Sequence, residues 1–183
     1  VSSYRPLTIM AVLYRRWASM RLQSLEGWVR CWALPEMFAG VAMQGATDAT
    51  YQVLAEVELM TLEGVPYCGG AADIYKFFDQ VLRGLVVEVL RLAGMPKAIL
   101  DAYSRFPEEV VAYSVVGGGV GHGQKRRCGI PQGCQLSMMV VALVMRAWVV
   151  MTKCMGALPR VLADDVLVVA RGKHMLSVFA RAL

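Results

Sequence analysis

The stretch Val161-Leu162-Ala163-Asp164-Asp165-Val166-Leu167-Val168-Val169 decides how this chain is read. Two adjacent carboxylates interrupt an otherwise apolar run. The run reads as two short strands, Val161 to Ala163 and Val166 to Ala170, joined by a tight turn that holds both aspartates. Ionised carboxylates in apolar surroundings are costly unless something compensates them. A divalent cation is the expected compensation, because oxygen ligands suit Mg²⁺ and two-metal sites set their ions about 3.5–4 Å apart. A third carboxylate, Asp73, opens the run Asp73-Ile74-Tyr75-Lys76-Phe77-Phe78-Asp79. Each motif also has a plain reading by itself, a turn for the doublet and a cap for Asp73. Together, carboxylates from two segments 91 residues apart (164 − 73) would make a phosphoryl- or nucleotidyl-transfer site.

Working outward, periodicity places a helix over Leu7 to Leu22, after an extended start at Tyr4-Arg5-Pro6, and another over Thr50 to Leu62. Gly64 and Pro66 stop the second. A buried strand is expected from about Tyr67 to Tyr75, ending at the first aspartate. An amphipathic helix follows over Asp79 to Ala93, with Leu82, Leu85, Val86, Val89 and Leu90 inward, and a further helix over Lys97 to Phe106. Val110 to Val116 and Gln124 to Ile130 read as strands. The glycine run Gly117 to Gly123 between them reads as a flexible connection, since it lacks both the G-x-G-x-x-G spacing and the Lys-Ser/Thr of a phosphate loop. A long helix over Gly133 to Met151, the aspartate hairpin and a helix from Lys173 to Leu183 complete the order. These elements predict an α+β fold, a small and largely antiparallel sheet backed by helices.

At 183 residues the chain makes one domain or a piece of a larger one; with 57% apolar residues it has material for a sizeable core. The most membrane-like stretch, Leu136 to Met151, is interrupted by Arg146 and falls short of the roughly 20 residues a span needs, so a core helix is expected there and no membrane partner. The net charge of +5, with 18% charged residues, leans weakly towards anionic partners. Lys125-Arg126-Arg127 is the densest basic run and by itself reads as a solvated strand end. Five scattered cysteines with no C-x-x-C pair argue against a disulfide framework or a zinc site, and for reduced thiols in the nucleus or cytoplasm. His122 and His174 have no partner at metal-ligand spacing.

Between the aspartate motifs lies Gly129-Ile130-Pro131-Gln132-Gly133-Cys134-Gln135-Leu136-Ser137. Proline and two glycines make a sharp loop before a helix, where backbone amides can face an anion or a base. Gln132 offers both a donor and an acceptor. The plain reading is a helix-entry turn. The ordered set nevertheless resembles the palm of a reverse transcriptase, most closely the non-LTR (LINE-like) retrotransposon type. That family's pattern is D-x-x-x-A/C-F-D, then G-x-P-Q-G-x-x-x-S, then F/Y-x-D-D. Here Asp73 to Asp79, Gly129 to Ser137 and Leu162 to Asp165 follow in that order. Arg5-Pro6-Leu7-Thr8 with Leu13-Tyr14-Arg15 is similar to the family's fingers segment. Phe38-Ala39-Gly40 through Thr47-Asp48-Ala49 is similar to its next block.

The resemblance implies a single partial reverse transcriptase domain, with about 1–66 fingers-like, partly helical, and about 67–183 palm. It implies RNA-directed DNA synthesis by two-metal nucleotidyl transfer. Asp73, Asp164 and Asp165, with the carbonyl of Ile74, would hold two Mg²⁺, for which Mn²⁺ can substitute. Phe78 would crowd a ribose 2′-hydroxyl and so favour deoxynucleotides. Viral RNA-dependent RNA polymerases share the palm but carry a polar aspartate at that position; in this chain the carboxylate comes one residue later, at Asp79. Gln132 would lie beside the incoming nucleotide and Arg5 would contact its triphosphate, while Pro131, Gly133 and Ser137 shape the template and primer loop. The implied partners are an RNA template, a DNA primer and dNTPs.

The chain departs from the family pattern at Met138, often Pro; at Leu162, usually aromatic; and at Phe77, usually small. It opens on Val1 and ends within a helical pattern, so it is expected to be a fragment of a longer reading frame, with the thumb and any endonuclease elsewhere in the parent polyprotein. Three alternatives stay open: an inactive reverse-transcriptase relic, a nucleic-acid-binding accessory domain, and a group II intron-type enzyme.

Overall fold

The computed structural model of the chain describes residues 8–182. Arg5, the extended start at Tyr4-Arg5-Pro6 and Leu183 lie outside the described residues. In chain order the elements are α1 (Val12–Ser24), α2 (Glu26–Trp32), α3 (Ala46–Leu62), β1 (Tyr67–Asp73), α4 (Phe77–Gln80), α5 (Arg83–Leu92), α6 (Lys97–Glu109), β2 (Ala112–Val116), β3 (Gly119–Gln124), α7 (Ser137–Cys154), β4 (Leu158–Leu162), β5 (Asp165–Arg171) and α8 (Met175–Ala182). The expected α+β architecture, small antiparallel sheets with helices, is what the chain forms. Two compact units are drawn from interleaved stretches: the described part of Val1–Leu25 with Lys76–Ser137, and Glu26–Tyr75 with the described part of Met138–Leu183.

The unit containing Glu26–Tyr75 is built on the antiparallel sheet β1-β5-β4. Past β4 the backbone of Glu36 to Phe38 runs parallel to it. Val161 N–H donates to Glu36 at 2.9 Å, and Phe38 N–H donates to Val161 at 2.8 Å. Period-2 alternation divides the faces of β5. Val168 goes inward against Ala157, Ala182, Trp148 and Phe179 under α8. Leu167 lies opposite Ala71 and Arg160 on the other face, where Arg160 reaches Glu56 of α3 at 2.6 Å. Helix α7 buries Met139, Val140, Val141, Leu143, Met145 and Val149. It is the one described helix long and apolar enough to cross a membrane, yet half of it is buried within the fold, as in a core helix. Its Arg146 donates from Nε to the Trp32 carbonyl at 2.8 Å.

Strand β1 corrects an expectation. It is an exposed edge strand and not a buried one, and it ends at Asp73 instead of reaching Tyr75. Its Gly69, Gly70, Ala71 and Ala72 have little side chain to bury.

In the unit containing Lys76–Ser137, the helix expected over Asp79 to Ala93 is broken into α4 and α5 at Val81 and Leu82, both extended. The cause is visible in the backbone hydrogen bonds. Ile130 N–H takes the Phe78 carbonyl at 2.7 Å, and Gly129 N–H takes that of Val81 at 2.9 Å. The carbonyl that would have continued the helix is thereby occupied. Leu82 and Leu85 consequently face solvent, while Val86 and Leu90 are buried as expected.

The second hairpin strand is also displaced. The glycine run itself forms β3, paired with β2, and Gly117-Gly118 make the turn with φ of 56° and 82°. Positive φ at both turn residues is the two-residue geometry that suits a twisted hairpin. Residues 125–130 leave the ladder because Arg126, Cys128 and Gly129 give their carbonyls to Arg83.

Candidate functional site

The aspartate hairpin is tighter than the sequence suggested. Leu162 pairs with Asp165, so Ala163 and Asp164 alone form the turn, and Asp165 is the first residue of β5. Ala163 has φ of 60°, a conformation that costs a residue with a Cβ on the order of 1 kcal/mol. On the opposite side of β5, Asp73 is the register partner of Asp165, and Ile74 N–H donates to the Asp164 carbonyl at 3.1 Å. Residues directly opposed in an antiparallel pair point to the same face. Asp73 and Asp165 therefore share the face that α3 partly covers, with Asp164 at the turn beside them.

The expectation that these carboxylates sit in apolar surroundings is corrected. Asp73 and Asp165 are exposed and Asp164 is half-buried, because the motif lies at the end of the sheet. What needs compensating is like charge, not desolvation. No described residue forms an ion pair with any of the three, although Glu26, Glu36, Glu56, Asp79, Glu88, Asp101 and Glu108 are all paired. Opposed like charges on neighbouring strands disfavour the pairing by about 0.2–1 kcal/mol. An oxygen-only donor set with unneutralised charge, held to one end of a sheet, matches a hard divalent cation in donor chemistry. Among the described residues, however, no group of three or more His, Cys, Asp or Glu side chains converges into an ion-binding cluster. The backbone frame is present, and the exposed carboxylates are not gathered on it.

The other expected site residues belong to the unit of Lys76–Ser137. Phe78 is half-buried, with its ring edge-on to Phe77 at 6.3 Å. The Gly129–Ser137 loop is built on it. Gly129 has φ of 87°, and a Cβ there would come within 2.6 Å of the Phe78 carbonyl oxygen. Gly133 has φ of 111°, and a Cβ there would meet the Thr8 carbonyl oxygen at 2.5 Å. Thr8 N–H in turn donates to the Gln132 carbonyl at 2.9 Å. The buried Ser137 hydroxyl closes the loop by donating to the Pro131 carbonyl at 2.8 Å. Both glycines are thus required by close backbone approach and positive φ. The Gln132 side chain is half-exposed and forms no hydrogen bond with a described residue, which leaves its amide available.

Arg83 was not singled out by the sequence. Its side chain is 11% exposed, and its guanidinium spans the carbonyls of Gly129 (3.1 Å), Pro107 (2.9 Å), Arg126 (2.6 Å) and Cys128 (3.3 Å) and the Glu108 carboxylate (3.3 Å). The planar fork of five donors suits such a cluster of acceptors. Asp79 is also engaged: Arg126 reaches its carboxylate at 3.4 Å, and the Cys128 thiol donates to its carbonyl at 3.3 Å. The only sequence signal for Arg83 was an arginine on the inner side of an amphipathic helix, which a snorkelling side chain also produces.

Beneath the loop, Tyr14 stacks on Phe106 with ring centroids 3.5 Å apart and hydrogen-bonds the Cys134 sulfur at 3.2 Å. Burial, reinforced by the Cys134 thiol, pushes the Tyr14 phenol above its ordinary pKa. Burial likewise raises Tyr103, with the Cys134 thiol adding and Arg83 opposing.

No family model matches the chain, and no curated protein is similar to it in sequence. Solved structures are. Apo telomerase from Candida tropicalis, truncated from its C-terminal domain, superposes with a TM-score of 0.60 at 13% identity, over 93% of this chain and 36% of that one. Apo telomerase from the same organism gives a TM-score of 0.58 at 11% identity, over 93% of this chain and 32% of that one. The chain spans about a third of the length of these relatives. At such identity the likeness speaks of fold alone, a fold shared with part of telomerase.

Proposed function

We propose that the chain is the catalytic portion of an RNA-directed DNA polymerase of retroelement type, a fingers-and-palm fragment that adds dNTPs to a primer 3′-hydroxyl. The observation that carries this reading is the pairing of Asp73 with Asp165, with Asp164 tied to Ile74 beside them. The fold shared with part of telomerase supports it, as does the order of the three motifs. Asp73, Asp164 and Asp165, with the Ile74 carbonyl, would hold two Mg²⁺, which when bound lower the pKa of the attacking hydroxyl and neutralise the leaving pyrophosphate. The protein's own contributions are positional. The hairpin holds two carboxylates on adjacent residues, Asp164 in its turn and Asp165 at the start of β5, and β1 brings the third opposite Asp165. Phe78 excludes a ribose 2′-hydroxyl by bulk. Gln132 presents a free amide to a base edge from a loop stiffened by Gly129, Gly133 and Ser137. Arg5 would meet the triphosphate.

The alternative, a reverse-transcriptase relic that keeps the fold without the chemistry, is not favoured by the fold comparison. Primer extension separates the two. The chain, extended through the thumb of its parent protein, is offered an RNA template, an annealed DNA primer, dNTPs and Mg²⁺ or Mn²⁺. The polymerase reading expects elongated DNA that disappears in Asp164→Ala. Elongation that survives this substitution sinks the site assignment. No elongation, together with no Mn²⁺ binding by electron paramagnetic resonance, establishes the relic.

A further inference from the structure

Two helices carry apolar residues in a row along their solvent side. In α3, Tyr51, Leu54, Ala55, Glu58 and Leu62 recur at i, i+3, i+4, i+7 and i+11, and so line one side of the helix. All five are exposed, Leu62 by 79%. Met60 alone among the residues of α3 is buried. In α1, Leu13, Arg16 and Met20 recur at i, i+3 and i+7. They are exposed as well, Leu13 by 85%, and only Ala18 of this helix is buried. The solvent side of a helix is ordinarily polar. Apolar residues gathered there mark a contact surface.

Charge gives the two rows opposite signs. Helix α3 holds no basic residue. Of its three acids, Glu56 is paired with Arg160 at 2.6 Å, and the Asp48 carboxylate accepts from the Gly45 N–H at 2.8 Å. Glu58 forms no ion pair with a described residue, and it stands between Leu54 and Leu62 in the row. Helix α1 holds no acidic residue, and its Arg15, Arg16 and Arg21 form no ion pair with a described residue. Arg16 stands between Leu13 and Met20. The same pattern, a charge flanked by apolar residues at one-turn steps, is thus written on both helices with opposite charge. Both rows are exposed in the chain, so neither is covered by it.

We propose that α1 of one chain seats on α3 of a second copy, with Arg16 against Glu58 and with Leu13 and Met20 against Tyr51, Leu54 and Leu62. Side chains at three- and four-residue spacing form the ridges by which helices interdigitate. The apolar neighbours shield the ion pair, which fixes the register because a like charge in its place is repelled. Neither helix contributes a candidate site residue, so self-association is tested apart from primer extension.

The test is sedimentation equilibrium of the purified chain over a concentration series. Reversible self-association is expected, weakening as salt screens the pair. Arg16→Glu should weaken it about ten-fold or more by setting like charges together, and Glu58→Arg should do the same. Both positions are exposed, so circular dichroism should show both variants folded. An equimolar mixture of the two variants should associate as the parent does. In that mixture the native Arg16 of one variant meets the native Glu58 of the other, and the two reversed charges also match. A chain that stays monomeric at every concentration overturns the proposal. So does association that neither substitution weakens, and so does a mixture that associates no better than each variant alone.

Discussion

Gly129 lies so close to Phe78 that a Cβ on it would reach within 2.6 Å of the Phe78 carbonyl oxygen. The contact is backbone to backbone, so no side-chain rotation relieves it. With φ of 87° as well, Gly129→Ala should destabilise the protein by about 3 kcal/mol, from strain and lost hydrogen bonds together. Gly64→Ala is the control. It has φ of 66° but nothing within 4 Å of the added Cβ, and should lose only about 1 kcal/mol. Urea unfolding of the two variants checks the ordering, and equal losses would contradict the close approach.

Asp73 opposite Asp165 places two carboxylates on one face without a described counter-charge. Removing one charge should therefore stabilise the metal-free protein. Asp165→Asn is expected to raise stability by roughly 0.5 kcal/mol in low salt, with the gain fading as salt screens the pair. Under the polymerase reading, Mn²⁺ should raise the melting temperature of the unaltered protein, and the same variant should lose that rise. A metal-free Asp165→Asn protein less stable than its parent would mean the carboxylates are not in repulsion.

Phe78 is half-buried and its backbone anchors the Gly129 loop, so Phe78→Ala trims the ring while leaving the anchoring carbonyl in place. Under the polymerase reading, ribonucleotide incorporation relative to deoxynucleotide should rise by about ten-fold or more, because bulk and not a hydrogen bond excludes the 2′-hydroxyl. Competitive incorporation of rNTP against dNTP measures this. An unchanged ratio would remove Phe78 from the sugar site.

Alkaline pH should expose the buried phenols. The pKa values of Tyr14 and Tyr103 are both raised in the folded state, chiefly by burial. The stability they contribute is whole below about pH 10, the ordinary tyrosine value, and drains as pH climbs above it, since only the unfolded chain then releases these protons. Of the seven tyrosines, these two should ionise together with unfolding, seen as phenolate absorbance rising in step with loss of circular dichroism. Ionisation of all seven before any unfolding would contradict their burial. In Tyr103→Phe the alkaline decline should be shallower.

Much of this was legible in the sequence wherever a local rule was also the global one. The Leu162–Asp165 hairpin was written in β-branched residues around a polar pair, and α6, α7 and α8 in unbroken apolar periodicity. The misses share a cause. The break between α4 and α5 is imposed by Gly129 and Ile130, about fifty residues away, which intercept carbonyls that propensity assigns to the helix. Strand β3 was hidden because Gly119, Gly121 and Gly123 have low strand propensity, and only pairing with β2 makes them a strand. β1 looked buried because its residues are small and apolar, whereas burial depends on being central or at the edge, which no single segment records. In the candidate site, residue identities could be read but charge balance could not. The exposure of Asp73 and Asp165 follows from their place at the sheet's end, and Arg83 became visible only once its acceptors were assembled.

As an edge strand, β1 has β5 as its one neighbour in the sheet. On the ribosome, the strand carrying Asp73 emerges long before anything it can pair with. Another 92 residues (165 − 73) must be made before Asp165 exists. At typical elongation rates that is roughly 5 to 20 s of waiting with both strand edges open. Glycine and alanine at 69–72 leave little apolar side chain to attract another nascent chain during that interval. The smallness that made β1 a weak signal is thus what lets it wait safely for the turn that completes the site.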